Sequence, residues 1–407
     1  MTNSYNDLNE LQINNLLFFL DKSSKKHLDL LKEDFKEIKP ASRLEDYRMN
    51  IIHALMMGDI NFNYFTSWLS HVHLHGNNTL FVFEPDNADF FTINSLESLE
   101  EKITPLIQSI YNMNRDSIKG INIIGLTRPS NQNQLLITFA SPCFIQLKNQ
   151  DNPTEPIIKK DIYLAYLTID YKEQHLVLSL HPTNNLINVN GIIRKQDMDA
   201  IVPSFMNFFK KQVAKFNYKS PHWIYNALAR IIEEYYSHNN PIIDKKKEEF
   251  KEESIESLLN IFASKEAAFK RADFQMRIKR SLLNVYEDEL IEVYKPIEKE
   301  TPFKVHLHEA GKGITSFVAN SKGKPLNFAD SRSIVKMMTE NTEVISLGIT
   351  YNTEKRTYPY KISKSSSYYS LKRINNAGTE KEIVDDVLYS LKKYKHETEI
   401  KSESKAN

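Results

Sequence analysis

From Asp244 to Lys295 the chain contains neither glycine nor proline, and charged side chains are dense along the whole stretch. A segment of that length with no breaker, rich in Lys, Glu and Leu, is specified as helix by local propensity alone. No apolar heptad is sustained through it, so ordinary helix packing is expected rather than a coiled coil. The expected product is an antiparallel helix pair, or an arm that holds an oligomer together. Glycine is scarce elsewhere too, with ten in 407 residues, roughly a third of ordinary usage. Loops that cradle phosphates need closely spaced glycines, so that backbone can approach the ligand. The one close pair is Gly311-Lys312-Gly313, and no Walker A, GxGxxG or GxSxG pattern occurs. These absences argue against the common kinds of nucleotide chemistry, and no cofactor is expected.

The flanking regions are mixed. Ser24 is placed to cap a helix with the apolar stripe Leu28, Leu31, Phe35 and Ile38. Leu44, Tyr47, Ile51 and Leu55 form a second stripe stopped by Gly58, and Phe62, Phe65, Leu69 and Val72 a third stopped by Gly76. Strands are expected at Thr79 to Glu84 and Gln134 to Leu147, with a helix near Leu96 to Tyr111. Asp161 to His181 reads as a hairpin with one side on a core: apolar residues alternate on both sides of a Tyr171-Lys-Glu-Gln174 turn. Ser220-Pro221 is a helix start signal, ahead of Ile224, Leu228, Ile231 and Tyr235. Near the C-terminus, Phe303, Val305 and Leu307 alternate with Lys304, His306 and His308, which fall on the polar side of a strand turning at Gly311 to Gly313 into Ile314 to Ala319. Glu343 to Tyr351 and Arg356 to Ile362 read as further strands. Thr379 to Glu382 forms a capping box for a last helix through Ile383, Val387 and Leu391.

The fold class is therefore α+β. A helical segment with a small mixed sheet is expected over 1–195, a charged helical block over 196–300, a C-terminal α+β domain over 301–395, and a disordered tail over 396–407. Apolar runs are too short to cross a bilayer, and the N-terminus lacks a signal-peptide core. Cys143 is the single cysteine and lies in the apolar run from Ile137 to Leu147, where a buried structural thiol is expected. A cytoplasmic location and no membrane partner follow. Lysine far exceeds arginine, which points to a low-GC bacterial coding sequence.

Lys+Arg of 53 against Asp+Glu of 52 leaves a net charge near zero, so any polyanion surface has to be local. One cationic run holds Lys265, Lys270, Arg271, Arg277, Lys279 and Arg280 against Glu266 and Asp273, with compensating acids from Glu287 to Glu300. A second holds Lys355, Arg356, Lys361, Lys364, Lys372 and Arg373, interleaved with Tyr358, Tyr360, Tyr368 and Tyr369. Cations for phosphates and aromatics for base stacking make a nucleic-acid surface; the plainer reading is a solvated face over buried tyrosines. In His71-Val72-His73-Leu74-His75 a helix aligns only His71 with His75, and no Glu stands where an HExxH site needs one. A metal role is not expected there, nor at His306 and His308.

The reading that follows is a non-catalytic interaction subunit of a bacterial multi-component system, with phage defence or a mobile element as its setting. It would bind nucleic acid or a protein from the same operon through its basic surface. A second reading is a metal-dependent nuclease of the PD-(D/E)xK type, with Asp86 after one strand and Asp170-Tyr171-Lys172 ending another. Such acid-x-lysine triplets are common in a charged chain, and Asp170 fits hairpin-turn chemistry as well. A third is a structural subunit that forms a homo-oligomer through the charged block.

Overall fold

The computed structural model describes residues 5–74, 76–128, 133–150, 152, 154–194, 198–297, 299–312, 315–322, 326, 335, 343–354, 356–374 and 381–406. It is α+β and divides into two units: Met1–Pro221 with Ser365–Asp386, and His222–Lys364 with Val387–Asn407. The division departs from boundaries at 195 and 300 for a packing reason. Helix α7 (Val202–Gln212) belongs to the first core through Val202, Phe205, Met206 and Phe209, and the helices after it sort with the C-terminal strands.

The first unit opens with α1 (Glu10–Asp21), α2 (Lys25–Asp34), α3 (Leu44–Met57) and α4 (Phe62–His71). Asn9 and Gln12 cap α1 reciprocally at 2.9 and 3.0 Å. Gly58 ends α3 at φ +80°, a conformation that glycine adopts without steric cost. The α2 helix stops at Asp34, so Phe35 is extended and does not continue the expected stripe.

The sheet of this unit is antiparallel throughout. Its strands are β1 (Thr79–Pro85), β2 (Asn122–Thr127), β3 (Gln134–Leu147), β4 (Ile157–Asp170), β5 (His175–Leu180), β6 (Leu186–Val189), β7 (Ile192–Ile193), β8 (Tyr218–Lys219) and β13 (Tyr369–Arg373). The order is β13-β1-β5-β4-β3-β6-β7, with β2 on β3 and β8 on β1. One face carries Phe83, Ile137, Leu167 and Leu178 into a core shared with the short α5 (Phe90–Ile93), α6 (Leu96–Ile103) and α7. The other places Leu136, Ala140, Leu164 and Tyr166 under α1, α3 and α4. The β4–β5 hairpin forms where expected, but β5 is buried on both sides, because both faces of this sheet carry packed layers.

The second unit holds α8 (Trp223–Tyr236), α9 (Pro241–Phe250), α10 (Glu256–Lys265) and α11 (Ala272–Tyr294), with a π turn at Lys251–Ile255 between α9 and α10. Its sheet is β10-β9-β11-β12, built from β9 (Phe303–Lys312), β10 (Thr315–Asn320), β11 (Glu343–Asn352) and β12 (Thr357–Lys364). The α8 helix packs on β9 and β11. The last helix, α12 (Lys381–Ala406), brings Tyr394 to Phe303 (ring centroids 6.5 Å apart) and to Glu234 (2.6 Å). It runs to Ala406, helical where a disordered tail was expected from 396. The expected capping residue Thr379 and the turn residue Gly313 lie outside the described residues.

Simple alternation fails in β9. Gly348 pairs with Leu307 and Ile349 with Val305, so His306 is an extra residue, a β-bulge. The bulge reverses the strand: His308, opposite Leu347, shares the face of Val305 and Ile349. His306 and His308 are both fully buried, not on a polar side.

Candidate nucleic-acid interface

The α9–α10 segment and α11 form the antiparallel pair. Lys247 Nζ meets Glu287 Oε2 at 2.7 Å, Phe250 stacks on Tyr286 at 4.1 Å, and Lys279 Nζ meets Glu256 Oε1 at 2.8 Å. These contacts step down one helix as they step up the other. At the base of the hairpin Asn240, itself buried, accepts from the Ile242 N–H at 3.0 Å and donates to the Lys295 carbonyl at 2.9 Å. The Ile297 N–H donates to the His238 carbonyl at 2.7 Å. The hairpin thus enters and leaves at one point.

At its far end lies the turn between α10 and α11, where the first cationic run is gathered. Lys265, Lys270, Arg271, Arg277 and Arg280 are exposed. Asp273 answers both Arg271 (3.2 Å) and Arg277 (3.6 Å), and Lys279 is held by Glu256. Pairs as exposed as these stabilise little and exchange readily with another anion. Among them Phe269 and Phe274 lie face to face, 4.5 Å between centroids and 10° between planes, each partly exposed. Nothing in the sequence pairs these two phenylalanines. They straddle the break before α11, where no helical period links them, and only the fold brings their rings together.

The second run does not assemble. Tyr358, Tyr360 and Ile362 pair with Tyr351, Ile349 and Leu347 on the core face of the second sheet. Tyr358 and Tyr360 are buried there, so no base can stack on them. Lys361 Nζ binds Glu309 Oε2 at 3.0 Å, and Ser346 Oγ donates to the same oxygen at 2.6 Å. Those two donors hold the Glu309 carboxyl below its usual range, Ser346 most strongly. Lys364 Nζ lies 4.3 Å over the Tyr225 ring. In the first unit, Arg373 is buried, and burial, then Arg194, lowers the pKa of Lys372. Arg356 stays exposed in a turn with Thr353, and Lys355 lies outside the described residues.

The nuclease residues do not converge either. Asp170 is buried and accepts from Gln134 Nε2 at 2.6 Å and from the Glu173 N–H at 2.8 Å, which closes the β4–β5 turn. Asp86 and Lys172 are exposed. Among the described residues no group of three or more His, Cys, Asp or Glu is arranged to hold a metal ion. His71 is tied to Thr127 Oγ1 at 3.0 Å and to the Ser67 carbonyl at 2.6 Å. His73 lies 5.4 Å from His27 and 6.3 Å from His181, ring to ring. Burial, then His27, His181 and Lys22, pushes its pKa down to about 3. His75 lies outside the described residues. Cys143 is buried, and burial foremost raises its thiol to about 12, the environment of an unreactive side chain.

Among the described residues no helix is long and apolar enough to cross a membrane. No protein-family model matches the chain, and no curated protein matches its sequence.

Proposed function

We propose that this protein is a non-catalytic subunit that binds nucleic acid through the turn of its α10–α11 hairpin. One observation supports the reading above others: a stacked phenylalanine pair, its ring planes 10° apart, on a turn that also carries the exposed cations Lys265, Lys270 and Arg271. Phosphates would exchange with the weak surface pairs, and an unstacked base would lie on the exposed part of the Phe269–Phe274 platform. A platform of this kind favours single strands, whose bases are free to stack.

The test is fluorescence anisotropy of labelled mixed-sequence DNA and RNA, single- and double-stranded, across a salt series. Single strands should bind most tightly, with log affinity falling linearly against log salt. Changing Lys270→Glu together with Arg271→Glu should flatten that slope by about 1.5. Phe269→Ala should cost single-strand affinity about 1–3 kcal/mol with the slope unchanged. Absence of binding to every probe at low salt would remove the proposal.

A further inference from the structure

The hairpin carries a second arrangement, on the side of α11 turned away from α9 and α10. The inner side of α11 is fixed by Lys279, Tyr286, Glu287, Leu290 and Ile291, which meet Glu256, Phe250, Lys247 and Ile243. Steps of four, four, three and four along the outer side give Arg277, Ser281, Val285, Asp288 and Glu292, one continuous helical stripe. Val285, at its centre, is 63% exposed. The stripe is basic toward the helix N-terminus and acidic toward the C-terminus.

From this we infer that α11 is the contact surface for a second copy of the same chain, laid antiparallel across a two-fold axis beside Val285. The stripe is self-complementary, as an isologous contact demands of a single surface. With the axis beside Val285, between positions 284 and 285, Arg277 of each copy falls opposite Glu292 of the other, and Ser281 opposite Asp288. The charged ends of the stripe each meet their opposite, twice over, around an apolar centre that a lone copy leaves in water. A parallel pairing would set Arg277 against Arg277 and Glu292 against Glu292, which costs rather than stabilises. The charge segregation along α11 thus has a use in the antiparallel pair and none in the parallel one. The inference goes beyond nucleic-acid binding, which uses Lys270, Arg271 and Phe269 at the turn, so either can fail alone.

The experiment is sedimentation velocity on the full chain over a concentration series at low and high salt. The wild type should associate reversibly to a dimer, more weakly as salt rises. Arg277→Glu alone and Glu292→Arg alone should each weaken association at least tenfold, because each places like charges at two symmetry-related positions. An equimolar mixture of the two variants again sets opposite charges at both of those positions, and should recover wild-type affinity as a heterodimer. That recovery also shows that both variants fold. As a second readout, Val285→Cys should form a symmetric disulfide on mild oxidation, whereas buried Cys143 should not cross-link. A wild type that stays monomeric at every concentration and salt, or a mixture that recovers nothing, would overturn the inference. Loss of nucleic-acid binding in Arg277→Glu without any change in association would overturn it too, and assign that half of α11 to nucleic acid instead.

Discussion

Among the described residues neither ring nitrogen of His308 meets a hydrogen-bond partner, and the side chain is fully buried. His306 beside it reaches Thr350 Oγ1 at 3.2 Å through Nδ1, while its Nε2 meets no partner among them. Its ring occupies the space that a side chain at Gly348 would need: a Cβ there would lie 2.5 Å from His306 Nε2. Burial pushes both histidines down to about 4, against about 6.5 in an unfolded chain. The folded protein therefore binds these protons less readily than the unfolded chain does. Stability is whole above about pH 6.5, falls as the pH drops from there, and stops falling below about 4. At pH 5 each ring should cost about 2 kcal/mol. Urea unfolding at pH 7 and pH 5 tests this, and His308→Leu should lose about 2 kcal/mol less than the wild type between the two. An unchanged pH slope in that variant would show that other groups govern the acid response.

At the scale of elements, the hairpin depends on its base. Asn240 caps α9 and holds the end of α11 with one buried amide. Asn240→Ala would leave the Ile242 N–H and the Lys295 carbonyl unmet, and should lower stability by about 1–3 kcal/mol. Hydrogen exchange checks the location: protection should fall first at the start of α9 and the end of α11. The helices of this hairpin were legible in the sequence, because a run of helix formers without glycine or proline favours helix on either side of its turn. Its clasp was not, since Asn240 and Lys295 lie far apart in the chain and nothing in either marks the partner. Strand β9 shows the opposite failure. Its alternation was clear and its existence correctly read, yet one extra residue at His306 turned the second half of the pattern over. Tyr358 and Tyr360 were read as a stacking surface for a related reason: alternation states that two tyrosines share a face, not which face is covered. The cations of the turn were legible, being local. The Phe269–Phe274 pair was not, because the helix break between them leaves their relative orientation to the fold.

For the molecule as a whole, the adjacent ends of the hairpin make it an insert rather than a support. Replacing Pro241–Lys295 with a short Gly-Ser linker should leave both sheets folded, because their strands pair without any residue of that segment. Circular dichroism should then lose helical signal while keeping the strand contribution and a cooperative melt. The shortened chain should neither bind nucleic acid nor self-associate. A shortened chain that fails to fold would make the hairpin part of the scaffold after all.

An insert anchored at one point is also a lever. The 23 residues of α11 span about 35 Å at 1.5 Å per residue, and the turn sits at the far end of that length. Rocking of about 5° at the clasp would sweep the turn through about 3 Å, as far as one hydrogen bond reaches. The aim of the Phe269–Phe274 platform is therefore set at the fulcrum, by the few bonds that Asn240 and Ile297 make to the other end.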